Sequence, residues 1–215
     1  AINVLLSGEE EQPVSFKSYL RWLYLSSLPE LRCALLAQVM QAWPVPLAFP
    51  GVSDVTFCQE LSQCAPETPG LLSFKLGTDV RGVSQLLNKL FYTRFEEEDP
   101  SAAGTIDLQY DEFAAPGRGF AVADAHGSVS LALIERLAPR FQFFSVHVAF
   151  SEVFGSQVRK ALRSVLQVLM EAPRCRCVLV LLRDVPSSFA PPPGTPAESR
   201  AAWLAQQLDL GLDPE

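Results

Sequence analysis

The chain has 215 residues, 48% hydrophobic and 19% charged, with a mean hydropathy of +0.16, which is enough apolar material for one substantial core and excludes a disordered chain. Seventeen basic residues against 24 acidic ones leave a formal charge of −7, so no field attracts nucleic-acid phosphates or an anionic membrane surface. The five cysteines, Cys33, Cys58, Cys64, Cys175 and Cys177, are odd in number and unevenly spaced, the usage of a reducing, intracellular compartment and not of a disulfide framework.

No apolar run approaches the roughly 18 residues that span a bilayer. Ala1 to Gly8 has neither a basic n-region nor an initiator Met, so the sequence reads as a domain of a longer, cytoplasmic protein, with the nucleus left open. Three regions are expected: an N-terminal helical extension (1–69), an α/β domain (70–186), and a Pro-rich loop with a last helix (187–215). The prolines gather at Trp43–Pro50, Cys64–Pro69 and Pro186–Pro196, where they punctuate loops.

In chain order, Phe16, Tyr19, Leu20 and Leu23 recur at helical spacing, so a first helix reaches Tyr24. Ser27-Leu-Pro-Glu30 has the form of a capping box with Pro in the first turn, and it opens a second helix from about Leu28 to Ala42. Trp43 to Pro50 is apolar and extended, since its prolines restrict the residues before them.

From Gly70 the pattern alternates strands with helices, the signature of an α/β sandwich. Strands are predicted at Leu71–Leu76, Thr105–Phe113, Gly119–Ala123, Phe141–Phe150 and Cys177–Leu182. The second alternates Ile106, Leu108 and Tyr110 with Asp107, Gln109 and Asp111 and reads as half-exposed; the last three read as buried and central. Helices are predicted at Ser84–Phe95, Val129–Ala138, Ser156–Met170 and Ala197–Leu208.

The first of these strands leads directly into Gly77-Thr-Asp-Val-Arg-Gly82-Val83-Ser84, which is G-x-x-x-x-G-x-S ahead of a helix. In a working phosphate loop, glycines let backbone N–H groups wrap the phosphates, the hydroxyl holds Mg²⁺, and a Lys before that hydroxyl neutralises charge. Val83 stands at the lysine's place. A ligand-free strand-to-helix turn would use glycine as well. Two further features favour the nucleotide-type reading. Asp124-Ala-His-Gly127 is a D-x-x-G expected at a strand's end, where such proteins place a Mg²⁺-linked Asp and a γ-phosphate-sensing Gly. Arg183-Asp184 follows the last strand, where an Asp accepts hydrogen bonds from a guanine ring. The candidate nucleotide site, in vestigial form, is therefore Gly77, Gly82, Ser84, Asp124, Gly127, Arg183 and Asp184. The fold class expected is α/β: a three-layer P-loop GTPase-like sandwich with a mainly parallel sheet, preceded by the helical segment.

With those residues in place, the chain resembles the G-domain family of the interferon-induced very large GTPases and the up-regulator of cell proliferation. Leu25–Pro50 looks like that family's helix and apolar segment before the G domain. Leu72–Gly77 with Ser84–Leu90 is similar to its first strand and "LLN" helix, and Trp203–Glu215 is similar to the helix after some copies. Arg183-Asp184 is similar to the "RD" guanine motif of guanylate-binding proteins and atlastins. Family members often carry a first, degenerate G domain without the loop lysine, and Val83 puts this chain with that kind. The resemblance implies a pseudo-GTPase: no hydrolysis, no cofactor, and a scaffold for protein partners or neighbouring domains. The alternative is a binding-only or slow enzyme that holds GTP with Mg²⁺ through Asp124 and Arg183-Asp184, Arg81 standing in for the lysine. Thr105 is the candidate switch threonine, but Glu96, Glu97, Glu98 and Asp99 precede it and repel a triphosphate.

The remaining constellations are weaker. His126 is either a turn histidine or a group orienting a water, and His147 reads as strand packing. Cys175 and Cys177 lack a second pair at metal spacing and read as ordinary thiols. No G-x-S-x-G elbow is present. Trp22 and Trp203 are either core residues or anchors for a partner.

Overall fold

Two helices open the described chain in a computed structural model that covers residues 16–50, 55–58, 68–97, 104–111 and 119–186, with isolated positions from 189 to 208. These are α1 (Phe16–Ser26) and α2 (Pro29–Met40). Pro29 sits in the first turn of α2, as its fixed φ favours, but the capping box does not form. Leu28 is the N-cap and offers no side-chain bond; the Ser27 hydroxyl instead donates back to the Leu23 carbonyl at 2.6 Å, so it closes α1 and leaves the start of α2 uncapped. Leu36 and Met40 are the buried residues of α2, and Leu20 and Tyr24 those of α1.

Of the expected extended segment, Trp43 still belongs to the turn that ends α2, its amide donating to the Val39 carbonyl, and Val45–Pro50 forms a strand, β1, which pairs antiparallel with β2 (Val55–Phe57). On its other side β1 pairs with β4 (Ile106–Asp111), and the register shifts between Pro46 and Ala48. A proline has no N–H for a ladder, so a bulge beside Pro46 is where it costs least.

The other strands are β3 (Gly70–Leu76), β5 (Phe120–Ser128), β6 (Phe143–Ala149) and β7 (Cys177–Arg183). One mixed sheet results, in the order β2-β1-β4-β5-β3-β6-β7. The pairs β5–β3, β3–β6 and β6–β7 are parallel, whereas β4 is antiparallel to β5. Helix α3 (Val83–Leu90) packs on one face through Val83 and Leu87 against Leu71 and Val122. Helices α4 (Leu131–Leu137) and α6 (Ser156–Glu171) pack on the other, against Leu72, Phe74, Ala123 and Val146. Neighbouring residues of a strand point to opposite faces, so the helices form separate layers around the sheet. A short helix, α5 (Phe150–Val153), links β6 to α6.

Three strand readings are corrected. The polar positions of β4, expected to face solvent, are buried: Asp107, Gln109 and Asp111 are all 2% exposed or less. The segment after α3 lies along them, with the Arg94 amide donating to Gln109 Oε1 at 2.7 Å and the Tyr92 amide to Asp111 Oδ2 at 3.2 Å. Asn88 fastens the same segment by bonds to Thr93 and Phe95, and α3 ends at Leu90, short of the expected Phe95. β7 is an edge strand with Leu179 exposed, not a central one. β5 runs four residues past the Asp that was expected to end it. The last helix, the Pro-rich loop before it, Glu98 and Asp99 lie outside the described residues, apart from isolated positions such as helical Trp203. Among the described residues no helix is long and apolar enough to cross a membrane.

Candidate functional site

Chain direction places the site. From β3 the chain turns to α3 on one face; from β6 it turns to α6 on the other, and the two strands are parallel neighbours, with Leu76 opposite Val148. Where connections diverge in this way, a crevice opens at the carboxyl ends of the strands, the usual ligand position of an open α/β sheet. The glycine loop lies at that position, just beyond the carboxyl end of β3. Gly77 (φ +89°) and Gly82 (φ +68°) both hold left-handed backbone, which accounts for glycine at each. Gly82 is also the N-cap of α3, Val83 its first residue and Ser84 its second.

Two side chains of the loop face inward. Val80 and Val83 are buried with Leu71, Leu87 and Val122, so the residue at the lysine's place belongs to the apolar layer under α3. Thr78, Asp79 and Arg81 are exposed.

Glu152, in α5 just beyond β6, meets the loop directly. Its Oε1 accepts from the Thr78 amide at 2.9 Å and from the Thr78 hydroxyl at 3.0 Å; its Oε2 accepts from the Thr78 amide at 3.1 Å and the Asp79 amide at 3.2 Å. The Thr78 amide bond, with the Asp79 amide and Thr78 hydroxyl bonds and the Lys75 charge behind it, outweighs desolvation and holds the Glu152 carboxyl below its usual range. Lys75, in β3, donates to the Val80 carbonyl at 3.3 Å. Arg183, at the end of β7, reaches the Arg81 carbonyl at 3.4 Å and lies beside Gly82. Neither Glu152 nor Lys75 was singled out in the sequence. Lys75 precedes the loop by two residues, a readable position, but nothing in the sequence places Glu152 against it.

Asp124 and Gly127 do not form a turn. Both lie within β5, which departs from β3 here: Ser73 is opposite Asp124, whereas Lys75 is opposite Ser128. Gly127 takes φ +78°, and β4 keeps the ladder going, with Ala125 opposite Ile106 and the His126 amide donating to the Thr105 carbonyl. Asp124 is buried in a polar row that crosses the sheet in register: Asp107, Asp124, Ser73, Ser145. His126 Nε2 lies 2.9 Å from Asp107 Oδ2 and 3.8 Å from Asp124 Oδ2, so it serves these carboxylates. Thr105 is fully buried.

His147 closes the row. Its Nε2 lies 2.7 Å from Ser145 Oγ and 3.1 Å from Ser73 Oγ. Burial, then the Arg183 charge, pushes its pKa down to about 4, so the imidazole is neutral near pH 7. The expected site residues thus fall into two sets: Gly77, Gly82, Ser84 and Arg183 at the loop, and Asp124 within the sheet. Asp184 is exposed with φ +55°.

Among the described residues no cluster of His, Cys, Asp and Glu is arranged to hold a metal, and Cys175 and Cys177 are free thiols. Trp22 is 61% exposed, and Leu25, Leu28 and Leu31, spaced by three, are exposed with it. Trp203 instead packs on Phe189, which in turn contacts Phe150 and Phe154.

No family model matches the chain, and no curated protein matches it significantly.

Proposed function

We propose that this is a degenerate GTPase-type domain of the kind found with the very large interferon-induced GTPases, one that keeps a strand–glycine loop–helix unit, does not turn over nucleotide, and works as an interaction module of a larger protein. The reading rests on the order of its parts: a glycine loop after an inner strand of the parallel set, a switch point between β3 and β6, and Arg183-Asp184 at the carboxyl edge of β7. The observation that carries the loss of activity is the burial of Val83. Phosphoryl transfer depends on positioned positive charge, and an aliphatic side chain packed under α3 supplies none.

Four large apolar side chains left exposed around the α1–α2 turn, Trp22, Leu25, Leu28 and Leu31, support the interaction role.

Calorimetric titration with GTP and Mg²⁺, together with a phosphate-release assay, tests the reading. Neither binding heat nor turnover is expected. Micromolar binding with measurable hydrolysis overturns it. If binding appears without hydrolysis, Asp184→Ala decides whether the guanine ring is read at Arg183-Asp184.

A further inference from the structure

The three donors on Glu152 are two consecutive backbone amides and a hydroxyl. This is the arrangement by which a backbone nest holds an oxyanion. The loop has also been cleared for it: a Cβ on Gly77 would lie 2.1 Å from Glu152 Oε2. Lys75, in the strand below, adds its positive charge to the place, and Arg183 holds the far end of the same loop through the Arg81 carbonyl. Asp79 opposes it, and accepts a bond from the same Thr78 hydroxyl at 3.1 Å.

We infer that the glycine loop is a working oxyanion site whose occupant is supplied by the chain itself as Glu152, and that without this side chain it takes a phosphate group. This goes beyond the nucleotide-free reading, which needs only Val83. A carboxylate three residues beyond β6 is held at an effective concentration on the millimolar scale or above, so dilute phosphate does not displace it. Truncation to Ala exposes two amides and a hydroxyl to solvent and removes one negative charge, leaving Lys75 to favour an incoming anion.

The test is thermal unfolding of the wild type, Glu152→Ala, Glu152→Gln, and Glu152→Ala combined with Lys75→Met, each titrated with sodium phosphate against chloride at equal ionic strength. The Tm of Glu152→Ala is expected to rise by roughly 3 °C at ten times Kd. The wild type is expected to move by less than about one degree over the same range, because its site is filled. Glu152→Gln keeps an acceptor for the Thr78 amide without the charge and preserves the fold, so its response is expected between the two. Loss of Lys75 is expected to weaken the Glu152→Ala response. Equal responses of wild type and Glu152→Ala, or a response to chloride as large as that to phosphate, overturn the inference and leave Glu152 a structural latch. Tripolyphosphate and GTP with Mg²⁺ serve as further arms on the same variant. A shift with both no larger than with inorganic phosphate assigns recognition to the oxyanion alone, whereas a shift with GTP only overturns it. Wild-type GTP binding would sink the proposed function, and an inert Glu152→Ala only the inference.

Discussion

Acidification should destabilise this protein through His147. The imidazole is fully buried, its Nε2 is shared by two serine hydroxyls, and its pKa is about 4 against an ordinary 6.5. The proton of a neutral ring on Nε2 leaves only a lone pair at Nδ1, which has no hydrogen-bond partner among the described residues; a charged ring would bury a second N–H there, near Lys75 and Arg183. A histidine with a depressed folded pKa is protonated first in the unfolded chain, so stability falls as the pH drops from 6.5 through 4 and then levels off. From these two values the loss is about 2 kcal/mol by pH 5 and about 3 kcal/mol by pH 4. Glu152, whose folded pKa is lowered from 4.5, loses its contribution only below that, and the comparison with a His147 variant separates the His147 part of the slope from every other group. Urea unfolding across pH 7.5 to 4, on wild type and on His147→Gln, reads the effect: the wild-type curve slopes and the variant's is flatter over this range. An NMR titration in which the His147 ring protonates near pH 6.5 in the folded protein would refute the argument, as would parallel slopes for the two proteins.

Further outcomes follow from the same geometry. Gly77→Ala forces a Cβ into a left-handed backbone and against Glu152 Oε2, and should cost about 2 kcal/mol in urea unfolding; a neutral effect would place the carboxylate elsewhere. Asn88→Ala removes the bonds that hold Thr93 and Phe95 and should cost about 2–3 kcal/mol, with faster amide exchange over residues 92–95. Trp22→Ser, on an exposed face, should leave stability within about 0.5 kcal/mol of wild type; a large loss would show that Trp22 is structural and not an available contact.

The local parts of the site were legible because their chemistry is local. Two glycines at fixed spacing after an apolar strand imply left-handed backbone at a strand-to-helix turn, and Gly77 and Gly82 have it. What the sequence hid depends on pairing between distant segments. Glu152 meets Thr78 across 74 residues of chain because β3 and β6 are parallel neighbours, and no local pattern encodes that. Asp124 to Gly127 carries turn-forming residues, yet β4 extends the ladder along it and a strand results. Asp107, Gln109 and Asp111 alternate as solvent-facing residues do, but the segment after α3 supplies backbone partners to Gln109 and Asp111, and His126 meets Asp107. β7 is as apolar as a central strand and lies at the edge, since composition does not fix strand order.

The central claim is that the cradle after β3 holds this chain's own carboxylate and not a nucleotide. A crystal structure of the wild type grown with a non-hydrolysable GTP analogue and Mg²⁺ tests it most directly. The account predicts Glu152 on the Thr78 and Asp79 amides with no density for a triphosphate; a triphosphate bound there, with Glu152 displaced, would contradict it.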